Sequence, residues 1–313
     1  MTTTQLEYIV ALDTCRHFAA AADTCFVTQP TLSMQIQKLE DELGVKIFDR
    51  SKQPVVPTET GIEIITQARI VIKEAQRIKE LIADKKHELT GEIRIGILPT
   101  LAPYLVPLFL DNFIKKHPLI KIKLSELTTK SIIAKLKSEE IDAGILVTPL
   151  EDERLFESPL FYEEFFVYVS KSSKLVKKQF VLAEDIDPKE LLLLEEGHCM
   201  RSQIINLCEL KYKNRESSNL EYEAGSIETL KKMVELNHGI TILPELALNG
   251  LSAKQWKMIH YFKPPAPVRQ VSLVMHRNYL KKKVIESLKE EILRAIPEKM
   301  KEKKKREIVG LVA

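Results

Sequence analysis

The chain has 313 residues, 44% hydrophobic and 29% charged, with four cysteines and a formal net charge of +3. That size and mixture fit a globular protein of two or three domains, and no run approaches the roughly 18–20 apolar residues that cross a bilayer. The net charge does not by itself point to nucleic acid: residues 1–90 hold 11 Lys and Arg against 13 Asp and Glu, while residues 281–307 hold 11 against 6.

The positive excess sits in the Lys-rich end around 303–306, which reads as a solvated terminus. Four cysteines are too few for a disulfide scaffold, and the start of the chain lacks the basic-then-apolar pattern of a secretory signal. The expected location is the cytoplasm, where thiols stay reduced.

In chain order, Leu6, Ile9, Val10 and Leu12 recur at helical spacing, and Phe18-Ala-Ala-Ala-Ala-Asp23 makes a second short helix whose alanines let a neighbour approach closely. Cys25 to Thr28 reads as a turn. Thr28 or Gln29 caps a third helix, with Pro30 in its first turn. Leu32, Ile36, Leu39 and Leu43 form its buried stripe, leaving Thr31, Ser33, Met34, Gln35 and Lys38 for base edges and phosphates. Gly44 ends this helix, and residues 48–58 make an extended wing. Arg50 suits either a phosphate contact or a surface ion pair. Cys15 and Cys25 read as core. A three-helix structural module is the competing reading of this whole segment.

Ile64, Ala68, Val71, Ala75, Ile78 and Ile82 are spaced 4, 3, 4, 3 and 4. Such a narrow heptad seam suits pairing with a second copy, which would put two DNA heads on one palindromic site. The alternative is an amphipathic helix packed on its own domain.

From Gly91 the pattern becomes β-α-β-α-β: Ile93, Ile95 and Ile97 alternate, then a helix follows from about Ala102 to Lys116. Residues 120–124 alternate again, 132–136 are helical, and 141–147 make a buried strand. A second series runs through 165–169, 191–194, a helix from Cys199, 221–224, the helix 227–237 and 239–244. Residues 271–274 and a closing helix near 280–296 return to the first half. Two lobes with a cleft are expected, with ligand at strand-to-helix junctions, where Thr100 and Thr129 fall.

Cys199 opens a helix running to Cys208. A helix N-terminus, with His198 and Arg201 nearby, is expected to lower the Cys199 pKa and favour the thiolate. A thiolate that attacks a peroxide becomes a sulfenic acid and needs donors at the oxygen. Thr100, Thr129 and His198 are the candidates. Nine helical residues would hold the two Cα atoms about 13.5 Å apart, against the roughly 4.4–6.8 Å a disulfide requires, so joining them would remodel the segment. Two buried apolar cysteines are the plain alternative. No His and Cys set has zinc-ligand spacing.

Phe18-Ala-Ala-Ala-Ala-Asp23, Val27-Thr-Gln-Pro-Thr-Leu-Ser33 and Lys38-Leu-Glu-Asp-Glu-Leu-Gly-Val45 resemble the DNA-binding domain of LysR-type transcriptional regulators. Gly-His-Cys-Met-Arg at 197–201 with Cys208, plus residues 239–244, resemble that family's peroxide-sensing branch over about residues 5–295.

The resemblance implies an α+β multidomain fold. A winged helix-turn-helix would occupy 1–58 and a dimerising linker helix 59–90. A two-lobed α/β regulatory domain like type 2 periplasmic binding proteins would occupy 91–300, with lobe I at about 91–162 and 268–300 and lobe II at about 163–267. A tail of no assigned role would occupy 301–313.

The resemblance also makes Cys199 the peroxidatic thiol and Cys208 its resolving partner, with Thr100, Thr129, His198 and Arg269 as the peroxide pocket. Ser202 departs from an acidic residue common in relatives. The implied partners are double-stranded promoter DNA, RNA polymerase, hydrogen peroxide as signal, thiol reductants for reset, and other copies in a homodimer or homotetramer. No cofactor, metal, membrane or enzymatic turnover is expected, and the protein would activate oxidative-stress genes. A regulator answering to a small-molecule co-inducer, and a thiol peroxidase, are the competing functions.

Overall fold

The computed structural model describes residues 1–83, 90–208, 223–277, 279, 281–302 and 307–310. The chain divides into two units, Met1–Glu88 and Leu89–Ala313.

In the first unit, α1 (Thr3–Cys15) starts at a capping box, Thr2 accepting from the Gln5 N–H while the Gln5 side chain accepts from the Thr2 N–H. Helix α2 (Phe18–Thr24) buries Ala21 and Ala22. Helix α3 (Gln29–Leu43) is capped by Thr28, carries Pro30 in its first turn and ends at Gly44 with φ +70°. Leu32, Ile36 and Leu39 are fully buried. Leu43 is not part of that stripe: it is 38% exposed, one turn beyond the core. The buried Glu40 carboxylate instead accepts the Ile47 and Phe48 N–H groups at 2.9 and 3.2 Å, fastening α3 to the wing.

The wing is the antiparallel pair β1 (Phe48–Asp49) and β2 (Val56–Pro57). Helix α4 (Glu59–Ala83) follows, its 25 residues spanning about 37 Å. Cys15 and Cys25 are half-buried at the edge of this core, not inside it.

In the second unit, β3 (Gly91–Ile97), α5 (Ala102–Lys116), β4 (Ile120–Glu126), α6 (Thr129–Lys137) and β5 (Ala143–Thr148) realise the expected alternation, with β3 pairing in parallel with both β4 and β5. A Cβ on Gly144 would meet Ile132 at 2.5 Å, so α6 packs directly against β5. Strand β6 (Leu155–Val169) is one 15-residue element serving two cores. Its early part joins the cluster of β3, β5, α5 and α6, while Phe165–Val169 belongs to a second cluster.

That second cluster gathers β7 (Phe180–Val181), β8 (Leu193–Leu194), α7 (Cys199–Leu207), β9 (Glu223–Ala224), α8 (Ile227–Glu235) and β10 (Ile240–Pro244). After α9 (Ala253–Trp256) and β11 (Ile259–Phe262), β12 (Pro267–His276) returns antiparallel to β5 and β6. Helices α10 (Lys282–Ala295) and α11 (Glu298–Lys301) follow. The chain thus crosses between the lobes on β6 and β12, and their pairing is the seam the lobes share.

The end of the chain departs from the expected solvated tail. Met300 is buried in the first lobe's core, and β13 (Glu307–Ile308) pairs in parallel with Pro267–Val268 of β12. Val309 is buried among residues of the second lobe, and the fully buried Gln203 of α7 donates Nε2–H to its carbonyl at 2.9 Å. The charge run masks this: residues 303–306 lie outside the described residues, but the apolar residues on either side of them bury. Ending the chain after Arg306 therefore removes a strap from α7. The expected result is faster hydrogen exchange at the amides of 199–208 and a stability loss of about 2 kcal/mol from the exposed cluster. Unchanged protection of α7 would contradict that role.

Candidate functional site

Three helix N-termini meet around one thiol. Thr100 lies just before α5, Thr129 is the first residue of α6, and Cys199 is the first residue of α7. Gly197, at φ +96°, makes the turn into α7, and a Cβ there would sit 3.8 Å from Thr128, the cap of α6. Cys199 is buried within the first lobe's cluster.

Beside it, Arg269 of β12 is fully buried. Its Nη1–H donates to Thr100 Oγ1 at 3.1 Å and its Nη2–H to the Thr100 carbonyl at 3.3 Å. Its Nε–H donates to Glu163 Oε2 at 2.8 Å, and Nη2 lies in ion-pair contact with the same oxygen at 2.8 Å. Glu163 Oε1 accepts the Leu246 N–H at 2.7 Å. Thr129 Oγ1 is buried and makes no full hydrogen bond, though its hydroxyl acts on the Cys199 sulfur in favour of the thiolate.

The shift expected for Cys199 is reversed. Burial pushes the Cys199 thiol up, outweighing Arg269, the Thr129 hydroxyl and the backbone amides of Cys199 and Met200, all of which pull it down. The helix terminus does favour the thiolate through the Cys199 and Met200 amides, but dehydrating the sulfur costs more. Burial also pushes Cys208, the residue closing α7, up to about 12.

Both cysteines are free, and α7 is unbroken between them. Nine residues at 1.5 Å rise put their Cα atoms about 13.5 Å apart. They also belong to different cores, Cys199 to the first lobe and Cys208 to the second.

Thr100, Thr129, Arg269 and Cys199 are thus brought together. His198 caps α7 with its backbone, and its Nε2 stands 3.7 Å from Glu195. Arg201, expected as a further donor near the thiol, is turned elsewhere: Nη1–H donates to the Leu194 carbonyl at 2.7 Å, and Nη2 pairs with Glu223 at 3.0 Å. It ties α7 to β8 and β9. Glu163 went unnoticed in the sequence, although it alternates with the fully buried Phe161 and Phe165 on one strand face, which marks a carboxylate pointing inward. Among the described residues no His, Cys, Asp and Glu cluster could hold a metal ion, and no helix is long and apolar enough to cross a membrane.

On the first unit, Lys38 is exposed on α3, and Thr31 and Ser33 are half-buried. The hydroxyls of Thr31 and Thr28 bond each other at 2.8 Å. Gln35 accepts from Gln5 Nε2 at 3.3 Å, placing it on the flank facing α1. Arg50 pairs with the buried Glu40 carboxylate at 3.2 Å, donates to Ser33 Oγ at 3.3 Å and lies over Phe18.

Along α4 the seam divides. Ala68 is buried in the domain's own core with Ile65, and Ile64 packs on its edge. Val71 and Ile78 are exposed, Ile78 by 65%, with Ala75 half-buried between them. The Ile82 side chain lies outside the described residues.

Residues 3–62 match the family described as bacterial regulatory helix-turn-helix protein, lysR family, and residues 86–297 match the LysR substrate binding domain. The chain belongs to the LysR family of regulators. Within that family it is 37% identical to the hydrogen peroxide-inducible genes activator of Haemophilus influenzae, over 86% of this chain and 88% of that one. It is 36% identical to the DNA-binding transcriptional dual regulator OxyR of Escherichia coli, over 86% and 87%. Among solved structures, full-length OxyR from Pseudomonas aeruginosa with a cysteine changed to aspartate matches with a TM-score of 0.80 at 34% identity, covering 94% of this chain and 98% of that one. A cysteine-to-serine mutant of Corynebacterium glutamicum OxyR with hydrogen peroxide bound matches at 0.61 and 27% identity, covering 94% and 92%.

Proposed function

We propose that the chain is a hydrogen peroxide-sensing, DNA-binding transcription regulator that switches through a reversible Cys199–Cys208 disulfide and activates oxidative-stress genes. One observation carries the reading: a buried thiol is influenced by a guanidinium whose N–H a threonine hydroxyl accepts, and by a second, buried threonine hydroxyl with no full partner. Because Thr100 Oγ1 accepts from Arg269, its own O–H is left to donate into the pocket, and Thr129 can do the same. A peroxide held by these hydroxyls presents one oxygen to Cys199 Sγ while the other faces Arg269. His198, next to the thiol in the chain, completes the proposed set.

In the first step the Cys199 sulfur attacks one peroxide oxygen and the O–O bond breaks. The thiol proton leaves with the departing hydroxide as water, and Cys199 becomes a sulfenic acid. In the second, the Cys208 thiol attacks the oxidised sulfur, the S–S bond forms and a second water leaves. Cellular thiol reductants reverse the bridge by exchange. Since α7 holds the cysteines apart, the second step proceeds only as that helix unwinds, and the change in the sensor is passed to the DNA heads.

For the heads, Thr31, Ser33, Gln35 and Lys38 of α3 are proposed to face the major groove, with Arg50 exchanging Glu40 for a phosphate. The exposed Val71 and Ile78, with Ala75, are proposed as the dimer seam, extended by Ile64, Ala68 and Ile82. Dimers would pair into tetramers and contact RNA polymerase at the promoter. Footprinting on promoter DNA selected by binding from a random pool tests the reading. The protected stretch should change length or spacing after equimolar peroxide and return with dithiothreitol, and an identical footprint in all three conditions would overturn it.

A further inference from the structure

Arg269 is the one fully buried guanidinium among the described residues, and it does not stand alone. Glu163 sits directly opposite it in the β6–β12 register. Both carboxylate oxygens are committed, Oε2 to the Arg269 Nε–H with Nη2 in ion-pair contact, and Oε1 to the Leu246 amide. With one edge of the guanidinium clamped in this way, its remaining N–H groups are aimed at Thr100. We propose that Glu163 is a positioning residue for peroxide sensing: it holds Arg269 against Thr100 and cancels the guanidinium's standing charge, so that the pocket is poised for peroxide yet quiet without it.

This rests on the peroxide-sensing reading and deepens it. An uncompensated guanidinium buried beside Cys199 would draw the sulfur toward the thiolate at neutral pH, and a standing thiolate reacts with many electrophiles and disulfides. Pairing with Glu163 turns a monopole into a dipole, whose field at the sulfur is weaker and falls faster with distance. When the peroxide bond breaks, the leaving oxygen gains negative charge inside the pocket. Arg269 and Thr100 are already aimed, so the stabilisation appears at that moment and not before. Selectivity then comes from the small oxidant bringing its own developing charge. Among the described residues, the other charged and titratable groups facing the pair are Glu245, which is ion-paired with Lys299, and Tyr104, whose hydroxyl donates to Glu228 at 2.7 Å. A purely structural pair would also be buried and well bonded, so stability alone does not separate the two roles.

The separating measurement is the titration of Cys199 by ultraviolet thiolate absorbance, in the full chain with Cys15, Cys25 and Cys208 changed to serine. Glu163→Gln, which removes the charge and keeps the shape, should lower the midpoint by about one pH unit or more, about a tenfold gain in thiolate fraction near neutrality. It should also raise the rate of alkylation by iodoacetamide by a similar factor. Glu163→Asp, which keeps the charge, should hold the midpoint near that of the unsubstituted site. An unmoved or raised midpoint in E163Q, with E163Q and E163D alike, would overturn the proposal. Should E163Q not fold, the unsubstituted site still decides: the proposal requires Cys199 to remain a thiol at neutrality, and a thiolate already present there would end it. No peroxide enters this titration. A chain that answered to another signal would fail the footprint test while leaving this result intact.

Discussion

A Cys199→Ser chain is expected to bind promoter DNA as the unsubstituted chain does and to lose the peroxide-dependent change in footprint and transcription completely. Serine is nearly isosteric with cysteine, so although Cys199 is buried in the first lobe's core, α7 and its surroundings should persist. What disappears is the sulfur proposed to take an oxygen from peroxide. Cys208→Ser should act one step later: Cys199 is still oxidised, but the sulfenic acid persists because nothing closes on it, and the response is weakened or lost according to how far α7 rearranges without the bridge. A regulator driven by a small-molecule co-inducer would keep its response in C199S. Transcription from a responsive promoter, measured before and after peroxide, separates the two.

Arg269→Leu is expected to cost about 3–5 kcal/mol of stability, the usual penalty for leaving one partner of a buried pair uncompensated. Here the stranded group is Glu163, whose carboxylate burial already disfavours even with Arg269 present. Stability comes back in a different way from function. Replacing both partners by apolar residues of similar volume, Arg269→Met with Glu163→Met, is expected to recover most of the loss, because no unpaired charge remains. The double variant should nevertheless react slowly with peroxide, by about 10²-fold or more, since the donors aimed at the developing charge are gone. Denaturant melts give the first half of this expectation, and single-turnover oxidation of Cys199 followed by mass spectrometry gives the second. A double variant that folds and is oxidised at the unsubstituted rate would remove Arg269 from the chemistry.

The parts of the molecule that repeat with a period were legible in the sequence. Alanine-rich α2, the Thr28 cap with Pro30, the stripe of Leu32, Ile36 and Leu39, and the alternation in β3 and β4 all follow from local rules, because each residue's place depends on neighbours a few positions away. Leu43 failed where that period outran the core it was meant to face. The rest depended on contacts between distant segments. Glu163 and Arg269 are 106 positions apart in the chain and meet only through the β6–β12 register. The bond from Gln203 to Val309 likewise spans 106 positions and lay hidden beside a Lys-rich run. Arg201 was placed near the thiol by adjacency, but helix geometry turns it toward Leu194 and Glu223. The Cys199 acidity is not legible locally for a related reason. A helix terminus can be read from order along the chain, whereas the depth of burial that opposes it is set by the whole lobe.

Closing the Cys199–Cys208 bridge requires α7 to come apart. The most direct test is one sample treated with one equivalent of hydrogen peroxide, quenched, and divided between disulfide mapping and hydrogen exchange of residues 199–208. The predicted result is an intrachain Cys199–Cys208 bond together with loss of amide protection across α7, both reversed by dithiothreitol. A bridge formed with α7 still fully protected, or Cys208 still a free thiol after Cys199 has been oxidised, would contradict the account.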